Sequence, residues 1–443
     1  MTDRPTLPGA MPNAYLPGKG NLPPGDQALV ARRQRLLGPA YRLFYETPVH
    51  LVRGEGVWLY DKDGKAYLDT YNNVASVGHC HPRVVEATAR QSAIFASHTR
   101  YLHDGILEYA ERLLAHFPPA LSHVMFTCTG SEANDLAFRI ARAQTGGTGF
   151  IVTENAYHGV THAIAGMSPS LGAGVPLGEH VRTVPAPDPL RMAGDMGAAF
   201  AAGVQAAVDD LLRHGIRPAA LIVDTVFSSD GVFADPPGFL APAVEVIRRA
   251  GGLFIADEVQ PGFGRTGQAM WGFQRHGVTP DMVSLGKPMG NGYPVAGLVM
   301  RPEVIESFGS KARYFNTFGG NAVAAATAMA VLQVIEDEGL MRNAATVGAL
   351  FRAGLEDLAA RHEALGPIRS AGLFLGAEIV AGGDPLAADA AACGRIVNHL
   401  RDNGVLISAT GPRANVLKIR PPLVFSAENV AFFLDRLEAA LKA

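Results

Sequence analysis

Three short runs of this chain set polar groups where an apolar stretch ends, and each suits a particular chemistry. In Ser284-Leu285-Gly286-Lys287-Pro288-Met289-Gly290-Asn291-Gly292, a single lysine follows an apolar strand and is flanked by small residues that leave room for a ring. A partly desolvated lysine has a lowered pKa and can form an imine with an aldehyde; read alone, a single lysine is more often a solvated loop residue. Phe254-Ile255-Ala256-Asp257-Glu258-Val259-Gln260 places two carboxylates just past an apolar strand, where parallel α/β sheets gather their ligand groups. A buried Asp257 needs a cationic partner, because an unpaired buried charge is costly. A protonated pyridine nitrogen would serve, and so would a protein arginine. Thr127-Cys128-Thr129-Gly130-Ser131-Glu132-Ala133-Asn134 follows a third strand and opens a helix, since Ala133, Leu136, Ala137, Ile140 and Ala141 recur at helical spacing. Free amides at a helix start, with the Ser131 hydroxyl, suit a phosphate, although capping by Thr129 or Ser131 explains the same residues.

The elements that must hold these runs can be read from the surrounding pattern. Short β-prone stretches at Val124 to Thr127, Phe150 to Thr153, Leu221 to Asp224, Leu253 to Asp257 and Met282 to Leu285 alternate with amphipathic helical stretches. That alternation predicts an α/β fold around a mainly parallel sheet buried on both faces. Val57 to Tyr60, a turn at Asp61-Lys62-Asp63-Gly64, and Tyr67 to Asp69 predict a hairpin. Residues 321 to 340 are Ala-rich and helical in pattern, and 345 to 443 mix helices with strands at Leu373 to Val380 and Val416 to Ile419. The expected organisation is an extended Pro/Gly-rich arm over 1–25, a large α/β domain over 71–325, and a smaller α+β domain built from 26–70 and 326–443.

Composition limits the partners. The 443 residues carry a formal net charge of −3, so neither nucleic acid nor an anionic membrane surface is an expected partner. No apolar run approaches the roughly 20 residues of a membrane span, and no export leader is evident. Cys80, Cys128 and Cys393 are too few and too scattered for a disulfide framework or a zinc site, and a cytoplasmic location is expected. His79-Cys80-His81, with possible ligands at i and i+2 but no second cluster, is read as a turn, and no metal is expected.

The order and spacing of the three reactive runs are more specific than any one of them. From about residue 40 to the C-terminus the chain resembles the class III (ω-) aminotransferases, which are pyridoxal 5'-phosphate (PLP) enzymes of fold type I. The resemblance implies that Gly130 and Ser131 bind the cofactor phosphate, that Tyr157 of Tyr157-His158-Gly159 stacks on the pyridine ring, and that Asp257 pairs with the ring nitrogen. It further implies that Val259 backs the ring, that Gln260 reaches the phenolic oxygen, and that Lys287 carries the Schiff base. Thr317, in Phe315-Asn316-Thr317-Phe318-Gly319-Gly320-Asn321, would reach the phosphate across a dimer interface. A homodimer with shared active sites, or a tetramer of two such pairs, follows from that.

Two departures from the family pattern bear on the substrate. Many members have Glu-Pro where this chain has Asp224-Thr225. In Val416-Leu417-Lys418-Ile419-Arg420-Pro421-Pro422, alignment on the prolines puts Lys418 where the family has a carboxylate-binding arginine, with Arg420 two positions on. Residues i and i+2 of a strand share a face, and lysine lacks arginine's planar fork. Tyr71-Asn72-Asn73-Val74-Ala75 and Arg100-Tyr101-Leu102-His103-Asp104 are most similar to the branch of alanine-glyoxylate aminotransferase 2-like proteins, which includes ethanolamine-phosphate phospho-lyases. The expected function is transfer of an amino group from a primary amine to a 2-oxo acid such as pyruvate. Elimination of phosphate and ammonia from a phospho-amine is the alternative. Epimerisation and a non-catalytic PLP carrier stand behind both.

Overall fold

The structure, a computed structural model, describes residues 11, 13–18 and 22–443. The arm expected over 1–25 lies largely outside them. Of its described part, Asn13 is buried and accepts from the Ser408 hydroxyl at 2.9 Å, and Ala14 bridges Phe44. Pro24 stands at the first turn of a helix, Pro24–Leu37. There its missing N–H costs nothing, so this proline starts a helix instead of preventing one.

Strands β1 (Leu51–Glu55), β2 (Trp58–Asp61) and β3 (Ala66–Asp69) form an antiparallel meander, and β2 and β3 are the expected hairpin. Seven further strands make the central sheet: β4 (His123–Thr127), β5 (Gly149–Thr153), β6 (Val181–Val184), β7 (Pro218–Asp224), β8 (Leu253–Asp257), β9 (Met282–Leu285) and β10 (Ala296–Met300). Their order is β4-β10-β9-β8-β7-β5-β6. Only β10 runs against its neighbours, pairing antiparallel with both β4 and β9. The C-terminal part adds β11 (Leu365–Ala371), β12 (Phe374–Ile379), β13 (Val405–Leu406), β14 (Ser408–Thr410) and β15 (Val416–Ile419). Strands β11-β12-β15-β14 make a third sheet, while β13 leaves it to pair in parallel with β3. The Ala-rich stretch is a helix, Ala322–Asp337, capped by the Asn321 side chain.

Alternate residues of the central strands face opposite ways, and both sides are dry. Leu221 and Val223 of β7, Phe254 and Ala256 of β8, and Val283 and Leu285 of β9 join one apolar cluster. Ala220, Ile222, Ile255 and Met282 join another. Each large side chain so buried stabilises the fold by about 1.5–3 kcal/mol, and the two clusters leave the strand ends as the place for polar groups. Register fixes which ends meet. Asp224 of β7 is level with Asp257 of β8, and Asp257 with Ser284 of β9. The Lys287 backbone therefore begins three residues past the row that holds both aspartates.

Candidate active site

A cleft of about 190 Å³ opens at these strand ends, lined by Thr129, Gly130, Ser131, Tyr157, Asp257 and Lys287 among others. The helix Gly130–Thr145 points its N-terminus into it. Thr129 caps that helix by accepting from the Glu132 amide at 3.1 Å, and Glu132 in return accepts from the Cys128 and Thr129 amides at 2.8 and 3.0 Å. Capping and phosphate binding thus prove to be compatible uses of one motif. The capping box occupies Thr129 and Glu132, which leaves the first-turn amides of Gly130 and Ser131 for an anion. Two glycines let the walls close up. A Cβ on Gly130 would meet Val259 at 2.9 Å, and one on Gly159, whose φ is +140°, would meet the Ser131 hydroxyl at 2.6 Å.

Asp257 is buried at the inner end of the cleft. Its Oδ2 accepts from His158 Nδ1 at 2.8 Å and Asn134 Nδ2 at 3.0 Å, and its Oδ1 from the Val259 amide at 3.1 Å. Burial pushes this carboxyl up, but the His158 hydrogen bond and charge, with the two amides, reverse that and hold it below the usual range. Its protein partner is therefore a histidine, not the arginine considered from sequence. Glu258, one residue on, faces the other way, as strand alternation requires. It accepts from Thr225 Oγ1 and from the Gly272 and Phe273 amides, all at 2.7 Å, and burial raises it to about 7.

Lys287 sits in the left-handed region with φ 28°. Burial, and then the nearby Arg420 charge, lower its ammonium from 10.5 to about 8 against the opposing pull of Asp257 and Asp224. Its Nζ lies 6.0 Å from the centre of the Tyr157 ring. Val259 and Gln260 also line the cleft.

Three of the expected residues stand apart from this wall. Lys418 is buried on β15, and burial, followed by the Arg420 charge, drives its ammonium well below the ordinary lysine value. Arg420, just past β15, donates through Nη1 to Gln260 Oε1 and to Asn73 Oδ1 at 3.3 Å, and stacks over Tyr71 at 4.4 Å. Thr317 is exposed, beside Phe318 at 69% exposure, and does not reach the cleft of its own chain. His79, part of the run read as a turn, pairs with the buried Asp69 at 2.7 Å, and His81 with Glu338 at 3.1 Å.

Sequence reading missed His158 and Asn134, which hold Asp257, and Ser228, which stands behind the cleft wall and donates to Asp224. The first two lie inside runs already singled out, where a neutral donor next to a functional residue was the available signal. Ser228 had none.

Comparison with known proteins places these features in a family. The class III aminotransferase family model matches residues 44–441. An alanine–glyoxylate aminotransferase 2-like protein of Drosophila melanogaster is 39% identical over 93% of this chain and 86% of its own. Ethanolamine-phosphate phospho-lyase homolog 1 of Caenorhabditis elegans is 34% identical over 94% of this chain and 93% of its own. Among solved structures, a phospholyase from Arthrobacter in complex with phosphoethanolamine superposes with a TM-score of 0.91 at 42% identity, covering 94% of this chain and 99% of that one.

Proposed function

The chain belongs to the class III aminotransferases, and from that premise we propose that it moves an amino group from a primary amine to a 2-oxo acid such as pyruvate. The family and its structural relatives depend on PLP. The fold is accordingly PLP-dependent fold type I, an α/β architecture with a mainly parallel central sheet. The observation that carries the functional reading is the meeting of Lys287, Asp257, Tyr157, Gly130 and Ser131 in one cleft. The cofactor fits what these residues offer: helix amides beside a glycine that admits no Cβ, a buried carboxylate held ionised, an aromatic face, and a desolvated lysine.

When bound, PLP supplies an aldehyde for an amine and a pyridinium ring that withdraws electrons from the substrate carbon. In our assignment Gly130 and Ser131 hold the phosphate, Tyr157 and Val259 face the ring, and Asp257 fixes a negative charge at its nitrogen. Gln260 would offer its free N–H to the phenolic oxygen. Lys287, free as an amine, would take a proton from the substrate carbon and return one. With its ammonium lowered to about 8, both the amine that takes a proton and the ammonium that returns one are available near neutral pH. Lys418 or Arg420 supplies the positive charge that meets a substrate anion. We assign 71–325 to the domain that holds the cofactor, and 26–70 with 326–443 to the smaller one. The pairing of Val405 with Leu68 supports joining those two segments.

Incubation with pyruvate and a panel of amines, with alanine measured, tests the transfer. A second reading, loss of phosphate and ammonia from a phospho-amine, is favoured by the buried basic side chains Lys418 and Arg420 and by the likeness to the Arthrobacter phospholyase. Stoichiometric phosphate from phosphoethanolamine, with acetaldehyde and ammonia and without any 2-oxo acid, would establish the lyase instead.

We also propose a homodimer in which Thr317 of the partner subunit reaches the phosphate. Supporting it is apolar surface near that residue: Phe315 meets His98 edge-on at 5.5 Å, His98 stacks on Tyr101 at 5.1 Å, and Leu102 is fully exposed. Such surface marks an interface. Light scattering is expected to give a dimer, or a tetramer of dimers, and an active monomer would refute it. No helix among the described residues is long and apolar enough to cross a membrane. Three free cysteines suit a reducing compartment, so we place the enzyme in the cytoplasm.

A further inference from the structure

Behind the cleft wall runs a buried chain of hydrogen bonds through Ser228 and Asp224, two residues that the catalytic assignment leaves without a role. Ser228 donates its hydroxyl proton to Asp224 Oδ2 and accepts from Gln260 Nε2 at 2.5 Å. Gln260 Oε1 in turn accepts from Arg420 Nη1. A serine hydroxyl has one proton to give. Once that proton is committed to a carboxylate, only a donor can face the hydroxyl from the other side. The Gln260 carboxamide must therefore turn its nitrogen to Ser228 and its oxygen to the guanidinium. A flip would set N–H against N–H at Arg420 and leave the hydroxyl without a donor. Ser228, Asp224 and Gln260 are thus locked together, and one Gln260 N–H is left for the cleft.

From this we infer that Ser228 is a positioning residue that makes Arg420, not Lys418, the cation that meets the substrate anion. The inference rests on the reading that the cleft takes an amine bearing an anionic group. Both Arg420 bonds use Nη1, while its Nε is buried with no partner, so the guanidinium keeps donors for a ligand at a site that is 6% exposed. Lys418 is differently placed. Burial moves both Lys418 and Asp224 toward their neutral forms, and each opposes that shift in the other. With Asp224 ionised, as its acceptance of the Ser228 proton requires, any charge Lys418 keeps is answered by that carboxylate, and Ser228 holds Asp224 in place through its hydroxyl and, at 3.3 Å, its amide.

The test uses the holoenzyme and inorganic phosphate as the probe, with affinity read by calorimetry. Because no turnover is needed, it stands even if the aminotransferase reading fails. Ser228→Ala is expected to weaken phosphate roughly tenfold, the scale of one hydrogen bond to a charged network, and to raise KM for an anionic amine by the same factor while kcat changes less than about threefold. Ser228→Thr, which keeps the hydroxyl, should restore both. Should Ser228→Ala fail to fold, Ser228→Cys keeps the volume with only a weak donor and carries the same expectation. Phosphate affinity unchanged in the Ala or Cys variant, or a fall in kcat with KM unmoved, overturns the assignment. So does a larger loss of phosphate affinity in Lys418→Met than in Arg420→Lys.

Discussion

With Lys287 replaced by alanine, the protein is expected to lose all covalent retention of its cofactor after borohydride reduction, and turnover should fall by at least about 10²–10⁴-fold, the range for removing one positioned general acid–base group. Among residues lining the cleft, Lys287 is the one with an amine to offer. It can form an imine only when unprotonated, and burial has lowered its ammonium to about 8. Below that pH the amine is mostly protonated and each unit removes roughly tenfold of the free form; above it the free amine dominates. The stripped wild-type enzyme should accordingly take up PLP faster as pH rises through about 8, with a plateau beyond. An ordinary lysine would still be climbing near 10. Cofactor that stays covalently bound to Lys287→Ala after reduction would show that another lysine is used.

Asp257→Asn is expected to preserve the fold and lose activity by about 10²–10³-fold, the usual consequence of removing one preorganised electrostatic contact. Asn134 and His158 both approach Oδ2, and the Val259 amide donates to Oδ1. A carboxylate accepts all three, whereas a carboxamide must turn its NH2 toward one side and meet a donor there. That mismatch costs about 1–3 kcal/mol, so a modest fall in melting temperature should accompany the kinetic loss. A variant with wild-type turnover would remove Asp257 from the mechanism. Asp257→Glu keeps the charge but moves it by a methylene, and should recover part of the loss if charge is what matters.

Much of this molecule was legible in one dimension because the governing physics is local. The apolar runs that became β4, β5, β7, β8 and β9 announce themselves by length and composition, and the Thr129–Glu132 cap is a contact between residues three apart. A lysine and an aspartate just past such runs must emerge at strand ends, which is why both are legible as candidates in the sequence. Strand direction was less legible. A run buried on both faces looks the same either way round, and nothing in Ala296–Met300 announces that β10 runs against β4 and β9.

What tertiary structure alone decided is which partner each polar group found. Asp257 meets His158 across 99 residues and Asn134 across 123, and Arg420 reaches Gln260 across 160. Those pairings depend on register between strands and on how loops close over them, and composition does not encode either. The sequence determined the groups on offer: a lysine amine, an aspartate carboxyl, the free amides of a helix start. Folding determined its orientation, by turning Asp257 and Glu258 to opposite sides of one strand and by locking Gln260 between Ser228 and Arg420. The reason is that side-chain identity fixes what a group can donate or accept, whereas a buried hydrogen bond forms only with whatever the packed backbone brings within about 3 Å.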